Sequence, residues 1–182
     1  MKNLLLTLLI LLAASSSAQE VIDFKGIQID GTKAELFAQL KEKGFRETDK
    51  PNLLVGLFDD FSVEVIALDN SRDKVYEIDL RHEMGNDEAL AIERYNSLLL
   101  KFRNDPKYND AYSELIPEGE PISDKLRSDF HLYTSCFTQS GKHGYVRIKL
   151  LNTNNWKDEE RYKLANFVIY IEYVNPANAP AG

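Results

Sequence analysis

Two alternating runs constrain this chain more than any other feature in it. Residues 61–68 place Phe61, Val63, Val65 and Ala67 on one face, and residues 74–82 set Tyr76, Ile78 and Leu80 against Val75, Glu77, Asp79 and Arg81. A period of two belongs to a strand buried on one side only. Asn70-Ser71-Arg72-Asp73 between the runs is a polar turn. With that turn as a four-residue loop, Ala67 faces Tyr76, Val65 faces Ile78 and Val63 faces Leu80. A slip of one residue would send each apolar set to the opposite face. The pattern predicts an antiparallel meander, which the apolar residues 53–58 extend across an Asp59-Asp60 turn.

The flanking segments supply helices and further strands. A short strand around residues 21–29 leads into Asp30-Gly31-Thr32, and Thr32 with Glu35 has capping-box spacing. Leu36, Phe37 and Leu40 form the apolar stripe of this first helix, and Gly44 followed by Phe45 closes it. Asn86 or Asp87 caps a second helix over residues 88–103, with Ala91, Tyr95, Leu98, Leu99 and Phe102 at helical spacing. Residues 105–126 hold Pro106, Pro117 and Pro121 and read as a long connection with one helical turn near residues 108–115. A connection of this length in a compact domain is a candidate functional segment. Residues 131–139 and 144–151 form a hairpin that pairs Phe137 with Val146, Ser135 with Ile148 and Tyr133 with Leu150, and sets Cys136 opposite Arg147. A helical stretch over residues 157–164 and a closing strand over residues 167–174 follow. Residues 176–182 are expected to be disordered. The fold expected is α+β: a mostly antiparallel sheet of about six strands with two main helices packed on one face, as a single domain over residues 19–175.

The N-terminus points to export. Lys2 precedes an apolar run over residues 4–12, and small residues at Ser16 and Ala18 place a signal-peptide cut between Ala18 and Gln19. The run is shorter than the roughly 20 residues a bilayer span needs. A lipid anchor needs a Cys at the cut, whereas the single Cys is Cys136. The expected location is therefore periplasmic or secreted, with residues 1–18 removed and no membrane span in the rest. The net charge of −7 argues against nucleic acid and anionic membrane surfaces as partners. One Cys forms no internal disulfide, so stability rests on packing, which a 43% hydrophobic content allows.

Catalytic signatures are sparse. Cys136 is the obvious nucleophile, but His131 falls on the opposite sheet face and His143 lies in a turn seven residues away. His82 at a strand end has Asp59, Asp60 and Glu83 as possible co-ligands, without the clustered His and Cys spacing of a metal site, and reads better as a surface histidine. Asp69, Asn70 and Asp73 lack calcium-loop spacing and serve as turn formers. The 29 acidic residues include no pair singled out by position. There is no G-x-S-x-G elbow and no Gly-rich phosphate loop. No catalytic residue, cofactor or metal ligand is assigned. Tyr residues are numerous near polar segments, and interfaces are enriched in Tyr and Trp. Trp156 in its polar stretch, with Tyr108 and Tyr112, are the candidate partner contacts.

Phe24-Lys25-Gly26-Ile27-Gln28-Ile29-Asp30-Gly31-Thr32 and Lys43-Gly44-Phe45 resemble the opening of a group of exported proteins common in gut Bacteroidetes, in which F-x-G-I-x-I-D-G-[ST] starts the mature domain and K-G-F ends the first helix. Tyr133-Thr134-Ser135-Cys136-Phe137 and Val168-Ile169-Tyr170-Ile171-Glu172-Tyr173 are similar to strands of that group. The resemblance implies an extracytoplasmic α+β protein and carries no catalytic residue over. A weaker similarity runs to small envelope domains of the β-lactamase-inhibitor type and of the small outer-membrane-assembly lipoprotein. These bind other proteins; their lipid-carrying Cys and first-helix L-G-x-P are missing here. The expectation is a non-catalytic exported module that binds or inhibits an envelope or extracellular protein, or binds a glycan. It would use its open sheet face or the 105–126 connection. The alternative is an exported hydrolase with acidic catalytic residues.

Overall fold

The computed structural model describes residues 20–122, 133–152 and 167–180. Its elements are β1 (Glu20–Val21), β2 (Asp23–Phe24), β3 (Ile27–Gln28), α1 (Lys33–Glu42), β4 (Arg46–Glu47), β5 (Leu54–Phe58), β6 (Phe61–Asp69), β7 (Val75–Gly85), α2 (Glu88–Asn104), β8 (Tyr108–Tyr112), β9 (Tyr133–Gln139), β10 (Lys142–His143), β11 (Tyr145–Asn152) and β12 (Phe167–Val174). The main sheet has eight strands in the order β4-β5-β6-β7-β12-β11-β9-β8, with every neighbouring pair antiparallel. The class is thus α+β with an antiparallel sheet, and the sheet is wider than the six strands expected. The additional strands β4 and β8 lie at its edges. Their side chains are mostly exposed, so no buried alternation marks them in the sequence. β8 replaces the helical turn expected near residues 108–115.

Local chemistry accounts for the element ends. The Thr32 hydroxyl accepts from the Glu35 amide while the Glu35 carboxylate accepts from the Thr32 amide, a complete capping box on α1. Gly44 takes φ 94°, and the Phe45 amide donates back to the Leu40 carbonyl, so the Phe45 ring turns into the core. Asp87 caps α2 by accepting from the Leu90 amide. The first expected strand is broken into a hairpin. Lys25 and Gly26 adopt positive φ, and Asp23 accepts from the Gly26 amide, which folds β2 onto β3.

The β9–β11 register matches expectation, with Phe137 opposite Val146 and Cys136 opposite Arg147. The β6–β7 register does not. Val65 faces Leu80 and Ala67 faces Ile78, two residues from the expected pairing. The apolar faces still coincide because a shift of two preserves the side-chain alternation. The cause lies in the turn. Asn70 donates its amide to the Lys74 carbonyl and accepts from the Arg72 and Lys74 amides, which draws Lys74 into the loop. An irregularity at Leu68/Asp69 then buries Val75 rather than Tyr76.

The core joins Leu36 and Leu40 of α1 and Ala91, Tyr95, Leu98, Leu99 and Phe102 of α2 to one set of alternating strand residues, among them Val63, Val65, Ile78, Ile148 and Ile171. Tyr95 is fully buried, and its hydroxyl hydrogen-bonds Ser135 at 2.9 Å. The C-terminal stretch differs from expectation. Asn175 is buried and donates to the Ile29 carbonyl, and Asn178 donates to Asp30 and to the Val75 carbonyl, so residues 175–178 are tied to the β3–α1 turn. Among the described residues no helix is long and apolar enough to cross a membrane.

Candidate functional site

The described part of the 105–126 connection, residues 105–122, is anchored to one side of α2. Arg103 donates to Asp110 and to the hydroxyl and carbonyl of Ser113. Asn96 donates to the Ile116 carbonyl and accepts from its amide, and Glu88 accepts from the Ile122 amide. Positions 88, 96 and 103 are about two helical turns apart, so the three anchors fall on one stripe of the helix. Ile116 and Ile122 are buried beside them. The tethered chain leaves a groove of about 560 Å³ against α2. Ala89, Ile92 and Leu100 give it apolar surface, and Glu88, Glu93, Glu118 and Glu120 line it with carboxylates. Glu118 stands at the tip of a turn in which the Glu120 amide donates to the Pro117 carbonyl and Gly119 takes φ 76°, a conformation a side chain would strain.

A second constellation crosses the sheet face opposite Val65 and Ile148. Ile66, Asp79, Glu172, Arg147, Cys136 and Tyr112 lie in one row across β6, β7, β12, β11, β9 and β8. The carboxylates of Glu77, Asp79 and Glu172 approach within 4.8 Å of one another and are the one trio among the described residues close enough to share a cation. Glu172 is already satisfied, since Arg147 donates to one oxygen at 2.7 Å and Lys149 to the other at 2.5 Å. Burial, reinforced by the hydrogen bond and charge of Glu77, pushes the Asp79 carboxyl up to about 8. Asp79 is therefore the member of the trio for which the neutral acid is favoured. A dication there would have to displace a proton and compete with Arg147 and Lys149. Beside this row, the buried Arg81 pairs with Glu64 at 2.7 Å and with Glu83.

The remaining candidates have structural partners. Cys136 faces Arg147 and Tyr112 rather than a histidine, and burial raises its thiol pKa, which disfavours the nucleophilic thiolate. His82, half-buried, packs on Phe61 with Nδ1 on the Ser62 carbonyl, and burial lowers its pKa, which favours the neutral ring. Asp23 is buried where β2 meets the sheet. Burial works against its ionisation, but hydrogen bonds from Lys107, Lys142 and the Gly26 amide outweigh this and hold the carboxyl below its ordinary value.

Of the predicted contact residues, Tyr108 packs its ring on Phe102 and shares hydroxyl hydrogen bonds with Tyr173 and Gln139. Tyr112 is 59% exposed on the edge strand β8. Trp156, His131 and the expected 157–164 helix lie outside the described residues. The sequence reading did not single out the groove glutamates or the α2 anchors. Two signals were available: polar residues two turns apart on a helix, and the isolated Ile116 and Ile122 in a polar connection. Compared with known families, curated proteins and solved structures, the chain matches none.

Proposed function

We propose that the protein is an exported, non-catalytic binding module for an envelope or extracellular protein or a glycan, and that the 105–126 connection forms its binding surface. The observation that carries this reading is the α2 groove. It is a concavity of about 560 Å³, and hydrogen bonds at Asn96 and Glu88 hold its walls in place. Preformed, partly apolar concavities with a few polar groups are the usual form of a binding site. In this reading both helices cover one sheet face and the groove opens on the outer side of α2. The signal-like residues 1–18 and the likeness of the opening motif to exported Bacteroidetes proteins support an extracytoplasmic location.

One observation favours the hydrolase alternative: a neutral Asp79 beside Glu77 is an acid next to a base. One feature weighs against it: Glu172 has both oxygens taken by cations.

Tagged protein spanning residues 19–182 should capture a specific partner from envelope extract or culture fluid, identified by mass spectrometry. Replacing the Pro117-Glu118-Gly119-Glu120 turn with a Gly-Ser linker should abolish capture. Turnover of a glycan or ester substrate that is lost in D79N would decide for the hydrolase.

A further inference from the structure

Resting on the binding-module reading, we infer that the α2 groove receives a cationic protein segment, in which Lys or Arg side chains flank an apolar residue. The carboxylates are divided between the two walls, Glu93 on α2 and Glu118 at the tip of the opposite turn. Both are exposed, and neither forms an ion pair among the described residues. Among the described residues no Lys or Arg lines the groove to offset them. Two opposed acidic walls complement a segment with basic side chains pointing to either side.

The floor selects against other ligands of positive charge. Ala89, Ile92 and Leu100 lie along one helix face, and Leu100 is 44% exposed at one end. A hydrated metal ion gains nothing from such a floor, whereas an apolar side chain covered by it does. Among the described residues the lining contains no aromatic ring on which a sugar would stack. The walls are set before binding, so little ordering cost falls on the protein.

The test is fluorescence polarisation of a labelled peptide alternating lysine with leucine, together with versions carrying glutamate for lysine and serine for leucine. The wild-type protein should bind the Lys-Leu peptide, reject the glutamate version and bind the serine version about tenfold more weakly. The exposed double variant E93Q/E118Q should fold normally and weaken binding by about tenfold, with a reduced dependence on salt. L100S should weaken binding several-fold. E42Q/D73N removes two exposed charges elsewhere and should leave affinity unchanged. Equal weakening by E42Q/D73N, or equal affinity for the leucine and serine peptides, would show attraction to an acidic protein in general and overturn the inference. A partner captured from the envelope whose binding ignores E93Q/E118Q would leave the binding-module reading standing and overturn this one.

Discussion

Asp79 is an aspartate held in the protonated form where an aspartate is ordinarily ionised. Burial and the neighbouring Glu77 raise its pKa from 3.8 to about 8. In the unfolded chain the same group ionises near its ordinary value. Between those two values the folded state binds the extra proton, so rising pH favours unfolding. The contribution of Asp79 to stability is complete below about pH 4, falls as pH rises and is flat again above about pH 8. Urea unfolding of the wild type should show a midpoint that declines across this window. D79N, which cannot ionise, should flatten that decline and be relatively more stable at pH 8 than at pH 4. A wild-type decline that persists in D79N would place the titration elsewhere.

At the scale of elements, α1 and β5 show how a strand glycine serves packing. Gly56 lies in β5 opposite Val63, and a Cβ added there would stand 2.3 Å from the Phe45 ring. Phe45 reaches that position because Gly44 ends α1 with a left-handed residue. Gly56 and the α1 C-cap therefore form one device: the cap aims the ring and the glycine makes room for it. G56A should destabilise the fold by about 1–3 kcal/mol, through overpacking rather than any intrinsic strand preference. Chemical denaturation measures the loss, and co-substitution with F45L should recover part of it. Neutral behaviour of G56A would show that the ring moves aside at little cost. The cap of α1 was legible in Thr32, Glu35 and Gly44, because capping is local chemistry. The role of Gly56 was not, since its partner is eleven residues away, across β4 and the turn into β5.

For the whole molecule, closure depends on contacts between distant segments. Asn175 donates to the buried Ile29 carbonyl and accepts from the Ala177 amide, and its own amide donates to the Tyr76 carbonyl. Gln139 of β9 exchanges two hydrogen bonds with the Asp23 backbone. The N-terminal segment is thus tied to the end of β12, which itself bonds Tyr76 of β7, and to β9. N175A should cost about 1–3 kcal/mol, because it leaves a buried carbonyl unpaired. The loss should appear as a lower thermal midpoint with an unchanged far-ultraviolet spectrum. A midpoint equal to wild type would mean that water replaces the side chain.

Sequence alone determined what depends on near neighbours: the alternating faces of β6, β7, β9 and β11, the two helices and their caps, and the antiparallel class. These follow from side-chain period and from hydrogen bonds spanning a few residues. Only the tertiary structure decided the β6–β7 offset, the edge strands β4 and β8, the anchored C-terminal stretch and the groove on α2. The offset was open because a two-residue shift keeps every apolar residue on its face, and the five-residue Asn70 turn selects among such registers. The edge strands carry no burial pattern. The groove, the charged row on the sheet and the Asn175 anchor each join residues brought together by chain reversals, and no periodicity in a linear sequence records which polar side chains will meet.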